Sequence, residues 1–286
     1  MEQRIKLTSS CTDCEFIPKV HNAGQVVYQE GNKLQTMFNG LKIHYDSYHS
    51  PWMNQIISNL NGHHEPQEEL VFYHLMKLLP NDANMIELGC AWAYYSMFFK
   101  SMAGAGLNIC IEPNSEKLAK GIANVTLNNF DLDRFNFLRG FIGDRYEVGA
   151  RFVDWDGTES WMPQYSIEKL ISDSDAYFDI IHSDIQGAEL DMLNGAISVL
   201  DRIGFFVIST HGDKHPKCKH FLTKHDFTIL VEHSIEESVS ADGLILAVNN
   251  MHLGSYEKKI DGNLQQYFDT NCKITRLFTS DTQETA

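Results

Sequence analysis

The chain has 286 residues, 43% hydrophobic and 21% charged, ordinary values for a globular protein with room for one large α/β core. With 38 acidic residues against 23 basic ones it carries a formal charge of −15. That charge repels phosphate backbones and anionic lipid, so nucleic acid and membrane surfaces are set aside as partners in favour of small neutral or cationic ligands.

No apolar core follows the start Met1-Glu2-Gln3-Arg4-Ile5-Lys6, and no run is long enough to span a bilayer; the expected compartment is cytoplasmic. Residues 1–65 are polar and weakly patterned, and are read as an N-terminal cap or lid. In it Val26-Val27-Tyr28 and Leu41–Tyr45 can pair as short strands. Cys11 and Cys14 form one C-x-x-C. A zinc site needs two further ligands, and His21 and His44 lack finger-like spacing, so the six cysteines are read as free thiols.

From Pro66 the character changes. Leu70, Phe72, Tyr73, Leu75, Met76 and Leu79 fall on a helical period before Pro80. Apolar runs then alternate with helical patterns. Strands are expected at Met85–Leu88, Asn108–Glu112, Phe135–Leu138, Phe178–Ile181 and Gly204–Ser209, with helices over 94–103, up to Asn128, 188–200 and 214–224. Phe227–Val231 and Leu244–Val248 are joined without room for a helix, so that pair should be antiparallel. Alternation of this kind predicts a doubly wound, largely parallel sheet over 66–250. The polar stretch 251–286 reads as a loosely docked tail.

In such sheets ligands bind beyond the carboxyl ends of the strands. After the first strand Gly89 permits a tight turn, but Ala91 and Ala93 stand where a dinucleotide site would want glycines, which weakens phosphate cradling. Glu87 suits a ligand carrying an ammonium or sulfonium. Glu112, ending the second strand, can accept from both ribose hydroxyls. A single strand-end glutamate is usually just solvated; paired with the Gly89 turn at one βαβ spacing, it describes an adenosine-type site. Asp144, after the third strand, can receive the adenine amino group.

The segment Phe178–Ala196, with Asp184-Ile185-Gln186-Gly187-Ala188-Glu189, resembles the signature of the FkbM-type methyltransferases. The 87–96 loop, Ile111-Glu112-Pro113-Asn114, the 62–68 segment and Tyr165–Leu170 are similar to further motifs of that family, in order, over about residues 62–248. The resemblance implies a Rossmann-like class I methyltransferase fold, α/β, with a mostly parallel seven-stranded sheet whose last strand is antiparallel. It implies S-adenosyl-L-methionine as cofactor and O-methylation of a small hydroxylated acceptor, most often a carbohydrate. Glu87 and Gly89 would then face the methionine part, with Ala91, Tyr95 and Ser96 in the same loop, Glu112 and Pro113 the ribose, and Asp144 the adenine. Asp184 would stand near donor and acceptor. Ala93 departs from a usual glycine, Gln186 from a common glutamate, and Ser209-Thr210-His211 from an E-x-H. Related sugar enzymes carry magnesium on acids after strands four and five; the second acid pair is missing here, so no metal ligand is assigned and Mg2+ stays an option.

His211 ends the fifth strand and is the expected base, with Asp184 orienting it or itself taking the proton. Glu189 and Asp191 read better as acids at a helix start. His63 and His64 are expected in a lid over the site, and Gln186 and Trp155 as acceptor contacts. N- or carboxyl-methylation, a silent cofactor-binding protein, a dehydrogenase (disfavoured by the glycine pattern) and a homodimer stay open.

Overall fold

The computed structural model describes residues 2–45, 47, 51–154, 157–240 and 242–277. Trp155, an expected acceptor contact, lies outside them. The chain opens with α1 (Glu2–Ser9) and the strands β1 (Val26–Gln29), β2 (Asn32–Thr36) and β3 (Lys42–His44), then α2 (Pro51–Asn59) and α3 (Pro66–Met76). β4 (Met85–Leu88), α4 (Tyr94–Met102), β5 (Asn108–Glu112), α5 (Ser115–Leu127) and β6 (Phe135–Arg139) follow. Next come β7 (Phe141–Ile142), β8 (Glu147–Val153), β9 (Glu159–Tyr165), α6 (Ile167–Ser174), β10 (Phe178–Ser183) and α7 (Glu189–Asn194). β11 (Ile203–Thr210), α8 (Lys214–Lys224), β12 (Phe227–His233), β13 (Gly243–Asn249), α9 (Asn250–Ile260) and α10 (Leu264–Asn271) complete the described chain.

The main sheet has seven strands in the order β12-β13-β11-β10-β4-β5-β6. All neighbours are parallel except β13, which runs antiparallel to both β11 and β12. This is the expected Rossmann-like arrangement. β10 and β11 are buried along their whole length, which is why they read as unbroken apolar runs rather than alternating ones. Phe72, Phe98, Phe99 and Phe205 fill one face of the sheet; Ile86, Ile111, Ile181, Phe206 and Leu222 fill the other. Truncating one such phenylalanine to alanine costs about 3–5 kcal/mol. β4 lies between β5 and β10, so the strand order reverses beside it and a crevice opens beyond the carboxyl ends of β4 and β10.

Three regions differ from the sequence reading. In the cap, β1 and β3 do not pair with each other; each pairs with β2. β2 was hidden because its inward positions include polar Gln35, whose amide reaches the carbonyl of Asn54 at 2.9 Å. β7, β8 and β9 form a separate three-stranded sheet in the order β7-β9-β8. Finally, part of 251–286 is firmly docked: Tyr256, Leu264 and Phe268 are buried in the core beneath α9 and α10. Their wide spacing left the stretch looking polar. No helix among the described residues is long and apolar enough to cross a membrane.

The start of α3 matters most for the site. Pro66 occupies its first turn, where a missing N–H costs nothing. Gln67, Glu68 and Glu69 follow and are all buried. Buried carboxylates need partners, and those partners define the ground under the strand ends.

Candidate active site

Gly89 follows β4 with φ +77°, and a Cβ there would strike the Asp184 carbonyl oxygen. The turn therefore brings the ends of β4 and β10 together, and only glycine permits the approach. The amides of Gly89 and Cys90 both bond the Ile111 carbonyl at 2.9 Å, tying the turn to β5. Ala91 (φ 42°) and Ala93 (φ 60°) sit in the left-handed region, Ala93 where the family pattern has a usual glycine, at a cost of about 1–2 kcal/mol each.

Glu87 and Glu112 project from β4 and β5. Glu87 accepts from the Ser96 amide at 2.9 Å and from the Ser96 hydroxyl; burial pushes its carboxyl up to about 7. Glu112 accepts from the Ala91 amide at 3.1 Å and the Asn114 amide at 2.9 Å. Burial raises its carboxyl as well. Pro113 leads into α5 beside it. Tyr95 is buried and donates its hydroxyl to Glu65 at 3.2 Å.

The expected pair of Asp184 and His211 does come together. His211 Nε2 lies 3.4 Å from Asp184 Oδ1, 3.1 Å from Asp242 Oδ1 and 2.9 Å from the Gln186 amide nitrogen. Its Nδ1 lies 2.7 Å from Glu189 Oε1. These partners change the acid–base assignment. Desolvation works against the imidazolium, but the bonds to Asp242 and Glu189 and the charge of Asp184 outweigh it and raise His211 to about 11. An imidazole in that cage keeps its proton at neutral pH and is a poor base. Asp184 is pushed up to about 7, chiefly by burial.

His63 and His64 are not in an open lid. Glu69 binds His63 Nδ1 and His64 Nδ1 at 2.5 Å each, and all three side chains are at most 2% exposed. Desolvation of His64 is outweighed by Glu65 and Glu69, which raise it to about 10. Phe38 stacks on the His63 ring at 4.2 Å. Both imidazoles are thus packing elements under α3, which takes them out of acceptor contact. Asp144 is likewise displaced from its expected role: it is exposed and paired with Arg145 at 3.2 Å, because Gly143 is tied to β9 through the Tyr165 carbonyl. Gln186 stays at the rim, exposed, with φ 52° and its amide on Asp184 at 2.9 Å.

Glu68 and Asp242 were missed. Glu68 bridges His182 Nε2 at 2.6 Å and the Ser209 hydroxyl at 2.5 Å; its signal was an acidic pair inside an otherwise apolar helix. Asp242 lies in the short connection before the last strand, where nothing in the sequence marks it as a partner of His211. With Glu65, both line a small cavity beside the strand ends. A larger cavity of about 630 Å³ between β12 and α10 is lined by none of the candidate residues. Among the described residues no group of three or more His, Cys, Asp or Glu side chains is arranged to hold a metal ion. Cys11 and Cys14 are buried free thiols.

The Gly89 turn, the acid ending β5 and the carboxylates around His211 thus lie at the carboxyl ends of the parallel strands. The family model for the methyltransferase FkbM domain matches residues 78–234, more than half of the chain. The chain belongs to the FkbM methyltransferase family and is an S-adenosylmethionine-dependent methyltransferase. No curated protein matches the chain. Similar solved structures include the O-methyltransferase from Bacillus cereus in complex with SAH, 12% identical, covering 64% of this chain and 80% of that one, with a TM-score of 0.44. TrmK of M. capricolum with S-adenosyl-homocysteine is 14% identical over 63% and 68% of the two chains, at 0.41. An rRNA methylase from Streptococcus thermophilus is 9% identical over 64% and 96%, at 0.45.

Proposed function

We propose that the protein is an O-methyltransferase that methylates a hydroxyl of a small molecule, a carbohydrate or glycosylated metabolite being the best-fitting class. The observation that carries this reading is Asp184, a carboxylate raised toward neutrality at the open end of β10, facing an imidazolium held by three acids. Acceptor hydroxyls need such a proton acceptor, whereas a carboxyl acceptor, already ionised, has no proton to give up.

S-adenosylmethionine, when bound, supplies a methyl group activated on a sulfonium. The chain's residues supply the rest. Glu112 offers its carboxylate to the ribose hydroxyls, while Glu87, Gly89 and the loop through Ala91, Tyr95 and Ser96 shape the methionine side. Asp184 would take the acceptor hydroxyl's proton as the methyl passed from sulfur to that oxygen, the S–CH3 bond giving way to O–CH3 and the cofactor leaving as the neutral thioether S-adenosylhomocysteine. His211 stays charged and steadies the ionised Asp184, and Gln186 holds the same carboxylate from the rim. The carboxylates also suit an amine acceptor, which gives a second reading through the same Asp184.

Transfer of labelled methyl to a panel of sugars, glycosides and amines between pH 6 and 9 tests the reading. The expected result is a methylated hydroxyl, with a rate that rises through about pH 7 as Asp184 ionises. Label found on amines alone would overturn the O-methyl assignment.

A further inference from the structure

Glu189 is the first residue of α7, and two roles compete for it. An acid at a helix start ordinarily serves that helix. Glu189 instead accepts from the amide of Gly187, which precedes the helix, at 2.9 Å, and the same Oε1 binds His211 Nδ1 at 2.7 Å. The side chain is fully buried, and its Oε2 has no hydrogen-bond partner among the described residues. Half-satisfied buried carboxylates are costly to retain. A helix of six residues offers little in return for that cost, whereas an imidazolium bonded to the other oxygen offsets it directly.

We propose that Glu189 is a positioning residue of the methyl-transfer site: its bond to Nδ1 fixes the His211 ring so that Nε2–H faces the Asp184 and Asp242 carboxylates. The inference rests on the reading of Asp184 and His211 given above. With Nδ1 anchored, Nε2 is the ring nitrogen left to act at the rim, and rotation of the ring would forfeit the buried bond. Fixing the ring fixes where a positive charge meets Asp184, and so which of its oxygens stays available to an acceptor hydroxyl. The charged and polar groups facing His211 are Glu189 from α7, Asp184 and Gln186 from the loop after β10, and Asp242 from the loop before β13. From α8, Lys214 and Cys218 also feel the Glu189 charge.

The test is the nitrogen-resolved imidazole spectrum of His211, assigned by its loss in His211→Gln and followed from about pH 6 to about pH 12. In the wild-type protein both ring nitrogens keep their protons until the pH approaches about 11. In Glu189→Gln the ring should titrate at lower pH, by about one unit or more, while affinity for S-adenosylhomocysteine in calorimetry stays within about twofold. If Glu189→Gln folds poorly, Glu189→Asp keeps the charge but withdraws it by one methylene, and should move the same signal. Ring signals in a folded variant that overlay the wild type would overturn the proposal and leave Glu189 a helix acid. Wild-type turnover by Asp184→Asn would instead overturn the reading beneath it, with the ring measurement unaffected.

Discussion

Under α3, Glu69 holds His63 and His64 at 2.5 Å each, with every side chain at most 2% exposed. At the strand rim, His211 Nε2 stands 3.4 Å from Asp184 and 3.1 Å from Asp242, and Asp184, His211 and Asp242 are 26%, 14% and 21% exposed. Both sets place imidazole among carboxylates, yet the first is wholly enclosed, while the second, anchored inside by Glu189 at 2.7 Å, reaches solvent on its Nε2 side with longer contacts. Short, enclosed pairs are expensive to break and have no room for a reactant; longer, partly open ones can exchange a protein partner for a substrate atom. Residue type alone therefore does not separate scaffold from site, and the enclosure of the partners does.

The comparison can be broken at either end. The largest effect is expected at the rim: Asp184→Asn should slow methyl transfer by about 10²–10⁴-fold while leaving the thermal midpoint nearly unchanged. The mirror result is expected of Glu69→Ala, which strands two buried imidazoles and should cost about 3–5 kcal/mol of stability, read by denaturant unfolding. Swapped outcomes would invert the assignment of the two sets.

A pH series sharpens the contrast. His64 is raised in the folded protein to about 10, so its protonation stabilises the fold fully below about pH 6.5, the ordinary histidine value. That contribution falls away as pH climbs through 10. The thermal midpoint should decline over this window in the wild type and decline less in His64→Gln. The smallest effect belongs to the cofactor loop. Ala93→Gly relieves a left-handed φ of 60° against the added chain entropy of glycine, for a net gain of about 0.5 kcal/mol.

Much of the fold was legible because the parallel strands are buried on both faces, so β10 and β11 appear as unbroken apolar runs. Strand ends then located Gly89, Glu112, Asp184 and His211, since topology alone puts them on one edge. What was illegible depends on which partner a polar side chain takes, near or far along the chain. Nothing near His63 and His64 in sequence told that Glu69 would take both rings rather than face solvent. Asp144 was placed by strand order, but a local sheet turned it out to Arg145. Asp242, 31 positions after His211, reaches it only because β13 folds back beside β11. Glu189 was legible as a residue but not as a partner, since the bond that matters crosses from α7 to the end of β11.

The most direct test of the central claim, a cofactor site built from the Gly89 turn and Glu112, is calorimetry with S-adenosylhomocysteine on the wild type and on Glu112→Ala. The account predicts saturable binding by the wild type and a loss of about 10- to 100-fold in the variant, the worth of a charge-assisted hydrogen bond of about 1.5–3 kcal/mol. Equal affinities in the two proteins, or no binding by the wild type, would contradict it.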